Sequence, residues 1–384
     1  MNADLVVIGL GAMGSATAWQ AAARGLRVIG FDRHRPPHQL GSSGGRSRII
    51  RQAYFEAPFY VPLVQRAYAL WGELEGQQGQ RLLHPTGGLV VGPPDGALVT
   101  GAVVSAEAHG VPYERMDAGE AARRFPVCPP DGFAVVWEPR AAVLLPEACI
   151  GAMLTAASDA GAELRMEEEV LHWSAGDTGV RIRTARATVE AGCLVLAAGA
   201  WMTSSLVAAP LPTRVARQTL FWTRPAHPER VGPERLPVWI WETRDGPLYY
   251  GFPDLGDGPK LARHHGGRTT TAETIERDVT AEEAGALLEF VSRAIPGVHG
   301  PVRDASACMY TNTPDEHFIL DRHPTHPQVL IASPCSGHGF KFAPAIGEVM
   351  ADLAEGRQPG VDITPFRLAR FGATDYTDSA DYSD

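Results

Sequence analysis

The chain has 384 residues, of which 45% are hydrophobic and 20% are charged. These proportions are typical of a water-soluble globular protein, and a chain of this length is expected to fold as two lobes. The formal net charge of −10 argues against a nucleic-acid partner. No apolar segment of the sequence reaches the roughly 18 residues that span a bilayer, and the first residues lack a signal-peptide pattern. We therefore expect a cytoplasmic protein that binds neither membranes nor nucleic acids.

Five cysteines are scattered along the sequence without the paired spacing of a zinc site or a disulfide framework. They are Cys128, Cys149, Cys193, Cys308 and Cys335. This distribution favours a reducing compartment, and we expect no metal ion.

Residues 5–32 combine two apolar runs with a glycine-rich turn and an alanine-rich segment. This order predicts a strand, a tight turn, a helix and a second strand. Gly9 permits the turn, Gly11 lets the backbone approach a pyrophosphate, and Gly14 lets the helix pack against the strand. The phosphates are expected at the helix N-terminus, where free N–H groups favour negative charge.

Asp32 ends the second predicted strand, where a carboxylate can accept hydrogen bonds from a ribose. The whole pattern predicts a dinucleotide site, and it does not distinguish NAD from FAD. The expected contacts in the first stretch are Gly9, Gly11, Ala12, Met13, Gly14 and Asp32.

A long loop rich in Pro, Gly and Ser follows and runs to about residue 54. Loops of this length in a compact domain are usually functional or disordered. Its second half carries Arg46, Arg48 and Arg51, close to where the ends of parallel strands would hold a ligand. The alternative is a solvated basic loop.

Apolar periodicity predicts the further elements. Helices are expected over 60–74, 146–160, 280–294 and 342–353, and strands over 88–92, 133–137, 164–165, 170–173, 180–184, 193–201 and 329–332. Thr280 is the expected N-cap of the third of these helices, with Glu283 three residues on.

Aromatic residues cluster between Pro210 and Pro301 among Pro, Gly and Asp turns, which predicts antiparallel strands. Such a cluster forms either a core or the wall of a pocket for an apolar substrate. The candidates for that wall are Ile240, Trp241, Trp222 and the loop 244–247.

Two later segments again have the sequence pattern of a nucleotide-binding domain. The strand over 193–201 ends in small residues, among them Ala198 and Gly199, and the strand over 329–332 leads to the turn 336–339 and a helix. That turn is expected to aim backbone N–H groups at an anion or at a polarised ring carbonyl, with Lys341 at the helix start. We expect the chain to leave the nucleotide domain and to come back to it.

Four segments make the sequence recognisable: GSSGGRSRIIRQAY (41–54), YYGFP (249–253), ACMYTNTPDEHFILD (307–321) and SGHGFKF (336–342). With them the chain resembles the sarcosine oxidase-like flavoproteins of the D-amino-acid oxidase superfamily from Asp4 to about Phe371. The resemblance implies FAD as cofactor and a monomer. It also implies oxidation of a secondary amine of an amino acid, N-methyl or cyclic, with reduction of O2 to H2O2.

The resemblance also implies roles for single residues. Cys308 matches the cysteine that binds the flavin covalently through a thioether, and Arg51 and Lys341 match the pair that holds the substrate carboxylate. Lys260 matches the lysine that promotes oxygen reduction, and Arg48 matches an arginine at the flavin. The residues that line the substrate site are Tyr250, His264, Tyr310 and Ile240. Further flavin contacts are Arg33, Ser42, Ser43, Arg46, Val170, Ala198, Gly199, Trp201, Met309, Gly337, Gly339, Phe340 and Lys341.

The sequence departs from the family pattern at Gly44, where relatives commonly have a histidine linked to the flavin environment. A noncovalent flavin therefore stays open beside the thioether to Cys308. The alternatives in function are an FAD-dependent amino-acid dehydrogenase and an oxidase of glycine, D-amino-acid or proline type with noncovalent FAD.

The resulting hypothesis is a mixed α/β fold with a Rossmann-like FAD domain and an α+β substrate domain on an antiparallel sheet. The FAD domain is expected over 1–83, 146–211 and 310–372, the substrate domain over 84–145 and 212–309, and a disordered tail over 373–384. The expected activity is FAD-dependent oxidation of sarcosine-like N-methyl amino acids to an imine, which hydrolyses to aldehyde plus amine.

Overall fold

A computed structural model describes residues 2–203, 205–207 and 211–372 of the chain. These residues form twenty β-strands and seven α-helices. The tail expected over 373–384 lies outside the described residues.

The strands, in chain order, are β1 (Ala3–Ile8), β2 (Val28–Asp32), β3 (Arg48–Ile50), β4 (Leu83–Pro85), β5 (Gly88–Gly92), β6 (Glu114–Asp117), β7 (Ala134–Glu138), β8 (Ala142–Leu144), β9 (Glu163–Met166), β10 (Val170–Gly176), β11 (Gly179–Thr184), β12 (Thr188–Leu196), β13 (Arg214–Thr223), β14 (Val238–Glu242), β15 (Leu248–Gly251), β16 (Lys260–His264), β17 (Arg268–Thr270), β18 (Val302–Asn312), β19 (Ile319–Arg322) and β20 (Val329–Ser333). The helices are α1 (Ala12–Ala23), α2 (Tyr60–Gln78), α3 (Ala97–His109), α4 (Ala118–Arg124), α5 (Pro146–Asp159), α6 (Gly285–Ala294) and α7 (Ala343–Ala354).

The first sheet has a parallel centre in the order β20, β12, β1, β2 and β9. β19 pairs antiparallel with β20, and β11 and β10 continue the sheet from the first half of β12. β1 and β20 are apolar on both faces, as parallel strands covered on both sides require. Helices α1, α5 and α7 pack together on one face. The expected strand–turn–helix–strand unit over residues 5–32 is confirmed.

The second sheet has nine strands, in the order β17, β13, β16, β15, β14, β5, β7 and β6, with β18 along the other edge of β13. All its pairs are antiparallel except β5 with β14. Trp239 and Trp241 of β14 lie in a buried cluster with α6. The aromatic segment therefore forms antiparallel strands, as expected, and most of its large side chains build a core.

A third sheet, of β3, β8 and β4, joins three segments that are distant from one another in sequence. β3 lies inside the segment that the sequence predicts to be a loop, and it pairs with β8 from Arg48 to Ile50. This short strand fixes the backbone from which Arg48 and Arg51 project.

The helix expected from Thr280 begins later, at Gly285, after a single 3-10 turn over Glu282–Ala284. The Thr280 side chain forms no cap. The Glu283 carboxylate instead forms an ion pair with buried Arg217 and accepts the Thr280 N–H at 3.0 Å. One half of the expected capping box is therefore present, the bond from the Thr280 N–H to Glu283, and the ion pair with Arg217 is added to it.

Among the described residues, no helix has both the length and the apolar character that crossing a membrane requires. The same residues include no group of three or more His, Cys, Asp or Glu side chains placed to hold a metal ion.

Candidate active site

A cavity of about 650 Å³ lies between the first sheet, the second sheet and the loop that follows β2. This volume is within the usual range of cofactor and substrate sites, about 300–1,000 Å³. Its walls come from the carboxyl ends of β1, β2 and β12, from strands β14, β16 and β18, and from the turn before α7. The carboxyl ends of parallel strands meet at one edge of the sheet, which is where α/β proteins hold ligands.

The glycine-rich turn forms one end of the cavity. Gly9 has φ +90°, and a Cβ there would lie 2.6 Å from the carbonyl oxygen of Ala197. A Cβ on Gly14 would collide with the carbonyl oxygen of Gly9. Both positions therefore require glycine, and the N-terminus of α1 opens into the cavity without a side-chain cap.

Asp32 lies at this end with its carboxylate already engaged by the backbone. One oxygen accepts the Leu10 N–H at 2.8 Å and the other accepts the His34 N–H at 2.8 Å. These bonds hold the turn, and each carboxylate oxygen keeps a second lone pair for a ligand.

The loop over 42–47 wraps around two cations. The Lys260 ammonium donates to the carbonyl oxygens of Gly45 at 2.7 Å and Ser47 at 2.8 Å. Arg48 donates to the carbonyl oxygens of Ser42 at 2.9 Å and Ser47 at 2.8 Å, and also to that of Gly44. The loop is therefore not a solvated basic segment, because its carbonyl oxygens accept hydrogen bonds from the two cations that it surrounds.

Lys260 is 2% exposed and lines the cavity beside the Phe252 ring, 4.7 Å from its centroid. Burial lowers the pKa of Lys260 well below that of an ordinary lysine, and Arg48 lowers it further. A buried cation at the cavity wall can stabilise negative charge that develops there.

Arg51 and Lys341 form a second cationic pair. Arg51 is 4% exposed, and its guanidinium contacts both carboxylate oxygens of Glu56, at 2.7 and 3.0 Å. The Lys341 ammonium donates to the carbonyl oxygen of His338 at 2.8 Å and lies 3.4 Å from the Tyr54 hydroxyl. Burial and the neighbouring Arg51 lower the pKa of Lys341 to about 7. This pair can bind a carboxylate, and Glu56 shows that Arg51 already does so.

Cys308 lines the cavity from β18. Burial raises the pKa of the Cys308 thiol, although Arg48 and Lys260 act to lower it. The positive neighbours that favour a thiolate are therefore present, but burial outweighs their effect on the pKa of Cys308.

Aromatic and imidazole side chains complete the wall opposite the cations. The hydroxyls of Tyr250 and Tyr310 lie 3.4 Å apart, and the His264 ring is 5.9 and 5.8 Å from the two phenol rings. Burial lowers the pKa of His264 well below that of an ordinary histidine, and it raises the pKa of Tyr250 to about 12. These groups are neutral at neutral pH, which suits a neutral amine.

The cavity gathers most of the site residues expected from the sequence. Those that line it are Gly9, Gly11, Ala12, Met13, Asp32, Arg33, Ser42, Ser43, Arg48, Arg51, Val170, Ala198, Gly199, Trp201, Ile240, Tyr250, Lys260, His264, Cys308, Met309, Tyr310, Gly337, Gly339, Phe340 and Lys341. Two expected residues do not line it: Gly14 acts through packing, and Arg46 points outward, over the Trp222 ring and onto Asp304. Trp241, Trp222 and the loop 244–247 do not line it either.

Sequence reasoning missed three polar neighbours of the cationic pair. Glu56 pairs with Arg51, and the Tyr54 hydroxyl lies 2.6 Å from Nδ1 of His338. Tyr54 ends the first recognisable segment and His338 lies inside the last one, so the motifs contained this signal. Glu56 lies just outside the motif, and no pattern marked it.

Lysine is almost absent from this protein. Of the 34 Lys and Arg residues, only Lys260 and Lys341 are lysines. Both are buried and both line the cavity. Because Arg serves every other basic position, these two sites require the compact ammonium group, whose pKa burial can shift.

The profile of the DAO family, described as FAD dependent oxidoreductase, matches residues 4–353. The chain belongs to this family. Monomeric sarcosine oxidase of Streptomyces avermitilis is 45% identical over 360 residues, which cover 91% of this chain and 93% of that protein. N-methyl-L-tryptophan oxidase of Salmonella newport is 36% identical over 374 residues, which cover 97% of this chain and 100% of that protein.

A similar solved structure is the open form of NikD, an unusual amino acid oxidase essential for nikkomycin biosynthesis. The TM-score is 0.84 at 26% identity, over 95% of this chain and 97% of that chain. The mixed α/β fold with several sheets that the sequence predicts is therefore confirmed, and this FAD dependent oxidoreductase shares it with an amino acid oxidase.

The residues of the cavity fit FAD. The cradle formed by Gly9 and Gly14 admits no Cβ, so the backbone can approach a pyrophosphate closely. Within the described residues the Ser42 hydroxyl is buried and makes no hydrogen bond, although it lines the cavity. Such a group calls for a ligand partner.

Proposed function

We propose that this protein is an FAD-dependent oxidase of secondary amino acids of the sarcosine type. It converts an N-methyl amino acid to an imine, which hydrolyses to aldehyde plus amine, and it reduces O2 to H2O2. The observation that carries the proposal is the placing of the chain's two lysines and Arg51 around one cavity. Two cations are enough to hold a substrate carboxylate, and the third is left for O2.

Arg51 and Lys341 bind the substrate carboxylate. The planar guanidinium offers two parallel N–H donors, and the ammonium adds a second charge. Because Glu56 occupies the same guanidinium, the substrate carboxylate binds by displacing Glu56 or by sharing Arg51 with it. Fixing this end of the substrate orients the amine and its neighbouring carbon.

Tyr250, Tyr310 and His264 contact the amine end. All three are neutral at neutral pH, so they favour the amine without its extra proton. Ile240 supplies an apolar contact from β14. FAD, when bound, supplies the two-electron oxidant for the carbon next to nitrogen.

Lys260 serves the second half of the reaction. O2 takes up two electrons and two protons and leaves as H2O2, and a fixed ammonium stabilises the negative charge that O2 first gains. Arg48 stands next to it and adds positive charge at the cofactor.

The decisive experiment uses the purified holoenzyme without oxygen. Sarcosine, N-methyl-L-tryptophan, pipecolate and proline are added separately, and loss of the yellow flavin absorption is followed. Bleaching followed by H2O2 formation on admitting O2 supports the proposal. If no secondary amino acid bleaches the flavin, the proposed function is wrong.

Carboxylate binding is tested with Arg51→Ala and Lys341→Ala. Each is expected to raise KM at least about thirtyfold, which equals about 2 kcal/mol, because the buried substrate carboxylate loses one of its two cationic partners. Arg293→Ala, on the exposed face of α6, is the matched control and leaves KM unchanged. Unchanged KM in both site variants contradicts the assignment.

We also propose that FAD is attached through Cys308. Acid precipitation of the holoenzyme then leaves the colour in the pellet, and Cys308→Ala moves it to the supernatant. Cys335→Ala, which removes another thiol of the same cavity, keeps it in the pellet. Colour in the supernatant of the unaltered protein contradicts the attachment.

The second candidate is an amino-acid oxidase or dehydrogenase with noncovalent FAD. It is favoured by the raised pKa of Cys308 and by Gly44, whose missing side chain leaves room that Gln39 occupies. A dehydrogenase differs from an oxidase by forming no H2O2 from O2.

The remaining expectations are proposals as well: a cytoplasmic monomer, and the two domains 1–83, 146–211 and 310–372 against 84–145 and 212–309. The first sheet takes its strands from the former segments and the second sheet from the latter, with β18 crossing the boundary at residue 310. Gel filtration tests whether the protein is a monomer, and limited proteolysis tests the domain boundaries.

A further inference from the structure

The loop that holds Lys260 has an unusual backbone at two consecutive residues. Gly45 has φ +100° and Arg46 has φ +65°. Glycine adopts this region freely, but for arginine it costs about 1–2 kcal/mol. An interaction outside the loop must therefore hold Arg46 in place.

The side chain of Arg46 is held by Trp222 and Asp304, and its backbone is held by Glu147, the second residue of α5. One of its oxygens accepts the backbone N–H groups of Gly45 and Arg46, both at 3.1 Å. The same oxygen accepts the side-chain amide N–H of Gln39 at 3.0 Å. Successive N–H groups in such a turn form a concave site for an anion. The anion here is the chain's own carboxylate.

The opposite side of the same turn faces the cavity. There the carbonyl oxygens of Gly45 and Ser47 accept hydrogen bonds from the Lys260 ammonium, at 2.7 and 2.8 Å. The loop is thus bound by the Glu147 carboxylate on its outer side and by the Lys260 ammonium on its inner side. Glu147 itself does not line the cavity.

We propose that Glu147 is a positioning residue that holds the loop 42–47 and through it the place and charge of Lys260, and so governs the reaction with O2. This rests on the proposed function, in which Lys260 acts on O2. Glu147 touches neither substrate nor cofactor.

The electrostatics of Lys260 agree with this arrangement. Burial, Arg48 and Arg46 lower the pKa of Lys260, whereas Cys308 and Glu147 raise it. Removing the Glu147 charge, and loosening the two carbonyl acceptors with it, therefore lowers the pKa of Lys260 further.

The first test measures the two half-reactions of Glu147→Gln separately. The rate of flavin bleaching by substrate without oxygen is expected to stay within about twofold. The holoenzyme is then reduced with dithionite and mixed with O2, and reoxidation is expected to slow about ten- to a hundredfold, as for a displaced catalytic group. Reoxidation at the unaltered rate overturns the proposal.

The second test reads Lys260 directly. Lysine labelled with ¹³C at Cε gives two NMR signals in this protein, because it has two lysines, and Lys341→Met assigns them. In Glu147→Gln the Lys260 signal is expected to titrate at lower pH, with the Lys341 signal unchanged. Equal titration of Lys260 in both proteins overturns the proposal without any turnover measurement.

Controls separate positioning from general damage. Glu120→Gln makes the same change in the first turn of α4, away from the loop, and leaves both readouts unchanged. In a Lys260→Met background, Glu147→Gln has no further effect on reoxidation, because the two act in series. A full, independent effect there overturns the proposal.

Glu147→Asp retains the charge one methylene farther from the loop, and it serves if Glu147→Gln does not fold. It is expected to slow reoxidation less than Glu147→Gln, and reoxidation at the unaltered rate overturns the proposal. If no amino acid reduces the flavin of the unaltered enzyme, the proposed function fails. The dithionite and NMR measurements still test the role of Glu147, because neither of them needs an amino-acid substrate.

Discussion

Lys341 has a buried ammonium, and its proposed task of binding a carboxylate needs the charge of that group. Burial and Arg51 lower its pKa to about 7, so the ammonium loses its proton as the pH rises through neutrality. A carboxylate ligand binds the charged form, and its affinity is therefore full below pH 7 and declines above it.

We expect the Kd of butyrate, a carboxylate without an amine, to rise up to about tenfold per pH unit above pH 7. Titration of the flavin absorption with butyrate between pH 6 and 9 measures it. Lys341→Met should bind butyrate weakly at pH 6 and show little further change. A Kd that stays constant in the unaltered protein would exclude a role for the Lys341 proton.

Single residues also show the limit of sequence reasoning. The motifs contain Arg51, Lys341 and Cys308, and the family resemblance added Lys260; the structure brings all four to one cavity. They could not show that Glu56 occupies Arg51 or that burial raises the pKa of Cys308. Glu56 is only five residues from Arg51, but their contact depends on the conformation of the loop between them. The pKa of Cys308 depends on burial and on Arg48 and Lys260, which are distant in sequence.

At the scale of elements, β7 is tied to the loop that carries Arg51. Glu138, the last residue of β7, is 3% exposed and accepts the N–H groups of Gln52 at 2.8 Å and Ala53 at 2.9 Å. These bonds satisfy two buried donors next to the arginine.

Glu138→Ala leaves both donors without a partner, and the free energy of unfolding should fall by about 2–4 kcal/mol. Glu138→Gln keeps one good acceptor and should lose about half of that. Urea unfolding followed by circular dichroism measures both. Equal stability of Glu138→Ala and the unaltered protein would show that water replaces the carboxylate.

The junction of β1 and α1 gives a second prediction at this scale. Gly14→Ala places a methyl group against the carbonyl oxygen of Gly9, so the helix must move away from the turn. We expect purified Gly14→Ala protein to lose most of its FAD and to melt at a lower temperature.

Gly151→Ala is the matched control for this change. Gly151 lies in α5 with nothing within 4 Å of an added Cβ, and alanine there should stabilise the protein by up to about 1 kcal/mol. Equal flavin content in both variants would contradict the packing argument for Gly14.

Elements with strong periodicity were predictable, and those fixed by tertiary contacts were not. The unit of β1, α1 and β2 follows from spacing alone, and α5 begins at Pro146 as expected. β3 escaped prediction because three residues carry no period. The predicted start of α6 was wrong because a 3-10 turn over Glu282–Ala284 precedes the helix.

For the whole molecule, the important fact is that both large sheets contribute to one cavity. Lys260 of β16 and Cys308 of β18 face residues that follow β1 and β2. A ligand that fills this cavity binds the folded chain only, and it stabilises both parts together by mass action.

We therefore expect Cys308→Ala protein, which lacks the thiol of the proposed attachment, to gain about 2.7 kcal/mol in the free energy of unfolding at free FAD a hundred times its Kd. Tryptophan fluorescence, which includes Trp239 and Trp241 of the second sheet, should follow the same transition as circular dichroism. The measurement is a thermal scan at several FAD concentrations. Separate transitions would show that the two parts unfold independently.

One strand has a consequence for how such a protein can change over generations. β18 pairs with β13 along its length, and Cys308 and Tyr310, two residues apart, point to the same side. Gain or loss of one residue in this strand would turn both away at once. Exchange of single side chains in β18 can therefore change the wall of the cavity, whereas a change in the length of the strand would disrupt that wall.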